Sequence, residues 1–287
     1  MCGIVGLFLK RPGLEASLGR HLAVMLGTMG DRGPDSAGFA VYGAGDGTKL
    51  TVRGPGLAAA ANKLGVRCEV RDTHAVLHVP ECRLGQVRAA LDAMPGVAIV
   101  GEGQRMELYK AVGLPTDVAE RFGLAFMAGT HGIGHTRMAT ESAVTTDGAH
   151  PYTTGSDQCL VHNGSLSNHN ALRRKLVREG FRFETENDSE VAAAYLSWRM
   201  REGDSVVAAL EAGLSDLDGF YTFVVGTRTG FAVLRDPICC KPAVMAETDD
   251  WVAFGSEYRA LVDLPDIGHA RVWEPEPARV YAWERAE

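Results

Sequence analysis

Cys2 joins the two groups that thiol-based amide chemistry needs. It follows only Met1 and begins the apolar run Cys2-Gly3-Ile4-Val5-Gly6-Leu7-Phe8. Cysteine is a small penultimate residue, so an aminopeptidase can trim Met1. Trimming leaves a thiol and a free α-amine on one residue. An α-amine titrates at about 7.7–8.0, close enough to neutrality to serve as a base. A thiol is intrinsically very nucleophilic. On position alone a second reading stands beside this one, a buried structural cysteine in an N-terminal strand.

Amide cleavage also needs an oxyanion site and a grip on the substrate. His162-Asn163-Gly164 falls where an expected strand ends. The Asn163 amide and the Gly164 N–H can converge on one oxygen, although Asn-Gly is also an ordinary turn signal. Arg137, just past another expected strand, can bind a carboxylate through two parallel hydrogen bonds. Its alternative is a surface ion pair. Asp188 opens an expected helix, either as its cap or as the holder of an ammonium group. A carboxylate grip and an ammonium grip together describe a free α-amino acid. Arg32 and Asp35, in Arg32-Gly33-Pro34-Asp35-Ser36-Ala37-Gly38, read as a charged turn braced by its own Arg–Asp pair and shaping the site. His131 and His135 are four apart, but the Gly-rich strand around them does not present both rings as a helix would. No cysteine lies at a matching interval, and no metal site is assigned.

These residues need elements to hold them. After the first strand, Leu18, Leu22, Met25, Leu26 and Met29 recur at helical spacing over 15–29. Residues 36–42 and 49–53 read as the two strands of a hairpin. Residues 75–79, 84–94 and 97–100 resemble a small β-α-β element, with a further helix over 116–127. Gly101-Glu102-Gly103 is a lone G-x-G and makes no dinucleotide site. Strands are expected at 132–136 and 158–162, a helix capped by Ser167 to 179, and a short strand at 181–183. Helices follow over 188–201 and 205–214. Strands then come in quick succession at 219–226, 231–235, 243–246 and 251–254, followed by a short helix near 257–264 and a closing hairpin of 270–274 and 278–283. Strands dominate both ends and helices cluster between them, which is an α+β layout of stacked layers.

Composition narrows the function classes. The 287 residues are 46% apolar, enough for one large domain or two small ones, and the formal charge of −7 argues against nonspecific nucleic-acid binding. Six cysteines show no regular framework and, with no secretory segment, read as reduced cytoplasmic thiols. The apolar stretch 4–9 is too short for a signal peptide or a membrane span.

Taken in order, several short segments resemble the class II glutamine amidotransferase domain. They are Met-Cys-Gly-Ile-Val-Gly, Arg-Gly-Pro-Asp-Ser-Ala-Gly, Gly-His-Thr-Arg-Met-Ala-Thr, Ala-His-Pro, His-Asn-Gly-Ser-Leu-Ser-Asn, Asn-Asp-Ser-Glu, Leu-Asp-Gly-Phe-Tyr, Arg-Asp-Pro and Gly-Ser-Glu. Each alone is weak; their order, with a cysteine at position 2, is specific. The resemblance covers the chain apart from about 55–130, which it leaves as a family-specific insertion of α/β character. It implies an N-terminal nucleophile hydrolase fold, a four-layer αββα sandwich, and cleavage of L-glutamine to glutamate and ammonia. Carried over residue by residue, it implies Cys2 as nucleophile and Asn163 and Gly164 as the oxyanion hole. Arg137, with Thr140 close by, would take the glutamine α-carboxylate, and Asp188 the α-amine. His150 would line the pocket, and Arg32 and Asp35 would shape it. Met138 stands where relatives often carry an aromatic residue that closes the pocket.

Large relatives fuse this domain to a synthase domain that consumes the ammonia. This chain stops soon after Gly-Ser-Glu, so the resemblance points to a separate synthase subunit as ammonia acceptor. The format resembles the amidotransferase subunit of glutamate-synthase-like systems, including N-methylglutamate synthase, with FMN on the partner and no cofactor in this chain. Two further readings remain at this stage: a hydrolase of another amide, and a non-catalytic glutamine sensor or scaffold with Met1 retained.

Overall fold

The apolar run behind Cys2 is buried on both faces, and this places it in the middle of a sheet rather than at an edge. In a computed structural model describing residues 2–45, 47–139 and 143–285, it forms β1 (Gly3–Leu9), buried along its whole length. The chain continues through α1 (Leu18–Thr28), β2 (Ser36–Tyr42), β3 (Thr48–Arg53), α2 (Leu57–Leu64), β4 (Arg67–Arg71), β5 (His74–Val79), α3 (Leu84–Asp92), β6 (Ala98–Gly103), β7 (Met106–Val112) and α4 (Pro115–Phe122). It then runs through β8 (His131–Arg137), β9 (Tyr152–Gly155), β10 (Gln158–Leu166), α5 (His169–Arg178), α6 (Asp188–Arg201), α7 (Val206–Asp216), β11 (Gly219–Gly226), β12 (Gly230–Arg235), β13 (Val244–Glu247), β14 (Trp251–Gly255), β15 (Arg271–Trp273) and β16 (Val280–Glu284).

Two sheets stack face to face. One has seven strands in the order β15-β13-β14-β1-β8-β2-β7, and the other five in the order β16-β12-β11-β10-β9. Strand alternation supplies the three apolar interfaces. Ile4 and Phe8 of β1 meet Val161, Val224 and Val233 of the second sheet. Val5, Leu7 and Leu9, on the opposite face, pack under Leu22 and Leu26 of α1 and Val118 of α4. The outer face of the five-stranded sheet, with Leu160, Tyr221, Phe223 and Leu234, is covered by apolar residues of α5, α6 and α7. The result is the expected four-layer αββα sandwich.

Residues 48–103 form a separate four-stranded sheet, order β4-β5-β3-β6, with its own core of Leu50, Val52, Leu77, Val87 and Leu91. β5, α3 and β6 make the expected β-α-β unit, with β3 between its strands. This sheet begins before residue 55 and ends well before 130. β7 and α4, inside the 55–130 range, belong to the sandwich instead.

Other expectations also change. β2 and β3 are not a hairpin: β2 pairs with β7 and β8, and β3 with β5 and β6, because the Gly-rich loop between them carries the chain out of the large sheet. The last two strands separate as well. β15 joins β13 in one sheet and β16 joins β12 in the other, the chain crossing between layers through 274–279, where Ala278 is left-handed. Residues 181–183 form no strand; Phe181 and Phe183 anchor a loop on the helix-covered core, under the guanidinium groups of Arg201 and Arg173. The helix cap falls on Asn168 rather than Ser167, and the Asn168 side chain bonds instead to the backbone at Asp216 and Asp218.

Asp157 ties the small sheet to the sandwich. Its buried carboxylate accepts the backbone N–H groups of Gln104, Arg105 and Met106 at 2.7–2.8 Å, across the turn from β6 to β7. Hydrogen bonds to a charged acceptor contribute about 1.5–3 kcal/mol each and do not simply add. Asp157→Ala is expected to destabilise the chain by about 3 kcal/mol, read as a lower urea midpoint; an unchanged midpoint would remove Asp157 from this role.

Candidate active site

The site forms where β1 begins and β8 ends at one mouth of the sandwich, beside Asn163 and Gly164, which lie inside β10 rather than at the strand end expected from the sequence because β10 stays paired with β11 as far as Leu166. β1 and β8 run antiparallel with Gly3 opposite Thr136, so Cys2 and Arg137 leave the sheet side by side. Alternation puts Cys2 on the face of Ile4 and Phe8, Arg137 on that of Ile133, and Asn163 on that of Val161. All three point into the cleft between the sheets. Cys2 is partly exposed, whereas Arg137 and Asn163 are buried.

Two donors converge on the Cys2 carbonyl. Arg32 Nε donates to it at 3.0 Å and Asn163 Nδ2 at 3.3 Å. Next along β1, the Ile4 N–H donates to Ser256 Oγ and the Ser256 N–H to the Ile4 carbonyl, both at 2.9 Å. The Arg32 guanidinium is paired with Glu257, which also binds Arg259 Nε at 2.6 Å. The hydrogen bond from Arg32 holds the Glu257 carboxyl below its ordinary pKa. The expected Arg–Asp brace within the turn is therefore absent. Asp35 instead accepts the Ala139 N–H at 2.8 Å and gives its own N–H to the Arg137 carbonyl, fixing the strand end that carries Arg137.

Gly164 is a steric requirement. Its φ is +154°, and a Cβ there would lie 2.0 Å from the Phe220 carbonyl oxygen and 2.8 Å from the His162 ring. Only glycine lets β11 approach this closely. His162 points to the opposite face, where its Nδ1 bonds Ser189 Oγ at 2.8 Å and lies 3.8 Å from Asp188. Asp188 is the first residue of α6 but not its cap. Asn187 caps the helix by accepting the Ser189 N–H, and the Asp188 carboxylate accepts the Leu166 N–H at 2.8 Å. Asp188 is thereby held against the end of the strand that carries Asn163.

Three buried imidazoles lie close to this mouth, those of His135 and His150 between the sheets and that of His162 on the helix side of β10. His150 stacks on His135 with centroids 3.9 Å apart, and His135 Nε2 bonds the His162 carbonyl at 3.0 Å. Burial pulls His135 down to about 3 and His162 to about 4, the latter against the pull of Asp188, and pushes His150 well below its ordinary value. All three rings are neutral at physiological pH and supply no positive charge for an anion. His131 is engaged elsewhere, stacked on Tyr42 and bonded to the Thr227 carbonyl. Among the described residues no group of three or more His, Cys, Asp or Glu side chains could hold a metal ion. Met138 is about half exposed beside Arg137. Met1 and Thr140 lie outside the described residues.

The structure therefore brings Cys2, Arg32, Asp35, Arg137, Asn163 and Gly164 together at one mouth, with His150 stacked on His135 behind it and Asp188 at the start of α6, against the face of β10 to which His162 points. Sequence reasoning assigned no role to Ser256, Glu257, His162 or Ser189. All four lie in the Gly-Ser-Glu, His-Asn-Gly and Asn-Asp-Ser-Glu motifs, but their partners are remote in sequence.

Comparisons with known proteins bear on the family and the fold. A family model for the glutamine amidotransferase domain matches residues 135–263. The glutamine amidotransferase-like protein GlxB of Rhizobium meliloti (strain 1021) is 62% identical over 99% of this chain and 98% of its own length. A protein of Methanothermobacter thermautotrophicus is 32% identical over 98% of this chain and 99% of its own. Among solved structures, the glutamine phosphoribosylpyrophosphate amidotransferase of B. subtilis superposes with a TM-score of 0.65 over 99% of this chain at 21% identity; the present chain spans 47% of its length. Sequence relatives of full length and an N-terminal-nucleophile sandwich point the same way: the chain belongs to the glutamine amidotransferase family and has the fold of its class II members.

Proposed function

We propose that the chain hydrolyses L-glutamine to glutamate and ammonia, with Cys2 as the nucleophile. The observation that supports this most directly is the convergence of Asn163 Nδ2 and Arg32 Nε on the Cys2 carbonyl, which fixes a partly exposed thiol beside Arg137. Once Met1 is removed, the Cys2 amine takes the thiol proton and Sγ attacks the glutamine carboxamide carbon. The second N–H of the Asn163 amide and the Gly164 N–H stabilise the oxyanion. Collapse of the tetrahedral intermediate breaks the C–N bond, the amine returns its proton to the leaving nitrogen, and ammonia departs. Water then attacks the γ-glutamyl thioester, and glutamate leaves with Cys2 regenerated. Arg137 and Thr140 bind the α-carboxylate, and Asp188 binds the α-amine. His150 forms a neutral wall, and Arg32 and Asp35 shape the pocket. Arg137 and Asp188 together disfavour a simple amide as substrate, since their opposite charges suit a zwitterion.

Ammonia released into water is protonated and lost to nucleophilic use, so its acceptor is a separate synthase subunit docked at this chain. The glutamate-synthase-like type, including N-methylglutamate synthase with FMN on the partner, is the assignment carried forward, in the cytoplasm. Among the described residues no helix is long and apolar enough to cross a membrane.

The test is glutamate and ammonia release from L-glutamine by the wild type and by Arg137→Ala. Loss of a two-bond grip on a carboxylate costs about 2–3 kcal/mol, so KM for glutamine should rise about 30- to 160-fold with a smaller change in kcat. An unaltered KM would count against the carboxylate assignment.

A further inference from the structure

A buried lysine lies behind the Arg137 pocket. Lys110 is on β7, and its Nζ donates to the carbonyl oxygens of Asp147 at 3.2 Å and Ala149 at 3.0 Å. The same ammonium sits 4.8 Å from the centre of the Tyr152 ring. Lys110 pairs across the sheet with Gly38, where a Cβ would lie 2.2 Å from the His150 carbonyl oxygen. The backbone of residues 147–150 therefore rests directly on β2 and β7.

The other side of this loop faces Arg137. Arg137 Nη1 donates to the Ala143 carbonyl at 3.3 Å, and a Cβ at Gly148 would lie 3.0 Å from the same nitrogen. Within the loop, the Gly148 N–H bonds Thr145 Oγ1 and the Ala149 N–H bonds the Thr146 carbonyl. From the small sheet, Arg53 on β3 reaches the Asp147 carboxylate at 2.5 Å. A buried ammonium carries a large desolvation cost, and here both of its hydrogen bonds go to this one loop. Burial pulls Lys110 down to about 8, with Asp147 acting in the opposite direction, so it stays largely charged at neutral pH.

We propose that Lys110 is a positioning residue for the carboxylate subsite: it holds residues 143–150 as a wall against the Arg137 guanidinium, and Arg53 braces the same wall from the four-stranded sheet. The proposal rests on the reading of Arg137 as the holder of the glutamine α-carboxylate. It gives the small sheet a direct mechanical link to glutamine affinity.

The test is steady-state glutamine hydrolysis, with thermal melting as the folding control, for Lys110→Met, Arg53→Met, Arg137→Ala and the Lys110→Met/Arg137→Ala double variant. Lys110→Met should raise KM about tenfold with kcat within about twofold, and Arg53→Met should raise KM about threefold. Because Lys110 acts through Arg137, the double variant should show a KM within about twofold of Arg137→Ala alone; independent effects would multiply. A folded Lys110→Met with wild-type KM, or a multiplied KM in the double variant, overturns the proposal. If Lys110→Met does not fold, an unchanged KM in Arg53→Met overturns it instead. An unchanged KM in Arg137→Ala would strike the carboxylate reading itself, whereas a raised KM there beside an inert Lys110→Met removes only the role of Lys110.

Discussion

Cys2→Ala is expected to reduce glutamine hydrolysis by at least about 10⁴-fold, since removing a nucleophile takes away the covalent route entirely. The melting temperature should barely move. β1 draws its burial from 3–9, with Val5, Leu7 and Leu9 under α1 and Ile4 and Phe8 between the sheets. Cys2 precedes that run and its side chain faces the mouth, so its sulfur carries little packing. The carbonyl that Arg32 and Asn163 bind is backbone and survives the substitution. Activity loss with a wild-type melt therefore separates chemistry from structure. Hydrolysis persisting near the wild-type rate would eliminate the thiol mechanism. Intact mass of the native protein tests the companion requirement, removal of Met1. Retention of Met1 in an active preparation would exclude the Cys2 amine as base, and retention in an inactive one would favour a glutamine sensor.

The sequence made the layers legible where one interface dominates a segment. Leu18, Leu22, Met25 and Leu26 face one core and recur at helical spacing, so α1 could be read directly. The alternation in β1 also resolves into two faces once both neighbouring layers are known. What stayed hidden was strand partnership. The signal at 270–283 is two strands and a turn in either arrangement; only packing decides that one strand joins each sheet. The same holds for β2 and β3, whose closeness in sequence suggested a hairpin although β7, more than sixty residues beyond β2, takes that edge.

The site divides along similar lines. Residues whose chemistry is carried by their own type, such as Cys2, Arg137 and Asn163, stood out from local motifs. Residues that act by holding a neighbour did not. Glu257 supports Arg32 across 225 positions, and Lys110 meets its loop 37 and 39 positions away. Arg32 illustrates the limit. Asp35 was the nearest opposite charge in sequence, yet Gly33 and Pro34 turn the chain so that Asp35 serves the 137–139 segment, leaving Arg32 to Glu257.

Asn163→Ala is expected to lower kcat about 10²- to 10³-fold, the range found when one donor to an oxyanion is removed, or about 2.7–4 kcal/mol of barrier. KM should change only a few-fold, because the donor acts on charge that develops after glutamine is bound. Asn163 also bonds the Cys2 carbonyl, so a displaced thiol could produce the same loss. The rate of Cys2 alkylation by iodoacetamide separates the two causes. Arg32 still holds the carbonyl at 3.0 Å in the variant, and the pairing of β1 with β8 and β14 is untouched. Alkylation should therefore proceed at nearly the wild-type rate while hydrolysis falls. A parallel fall in alkylation would reassign Asn163 from stabilising the oxyanion to placing the nucleophile. A kcat within about threefold of wild type would remove it from both roles.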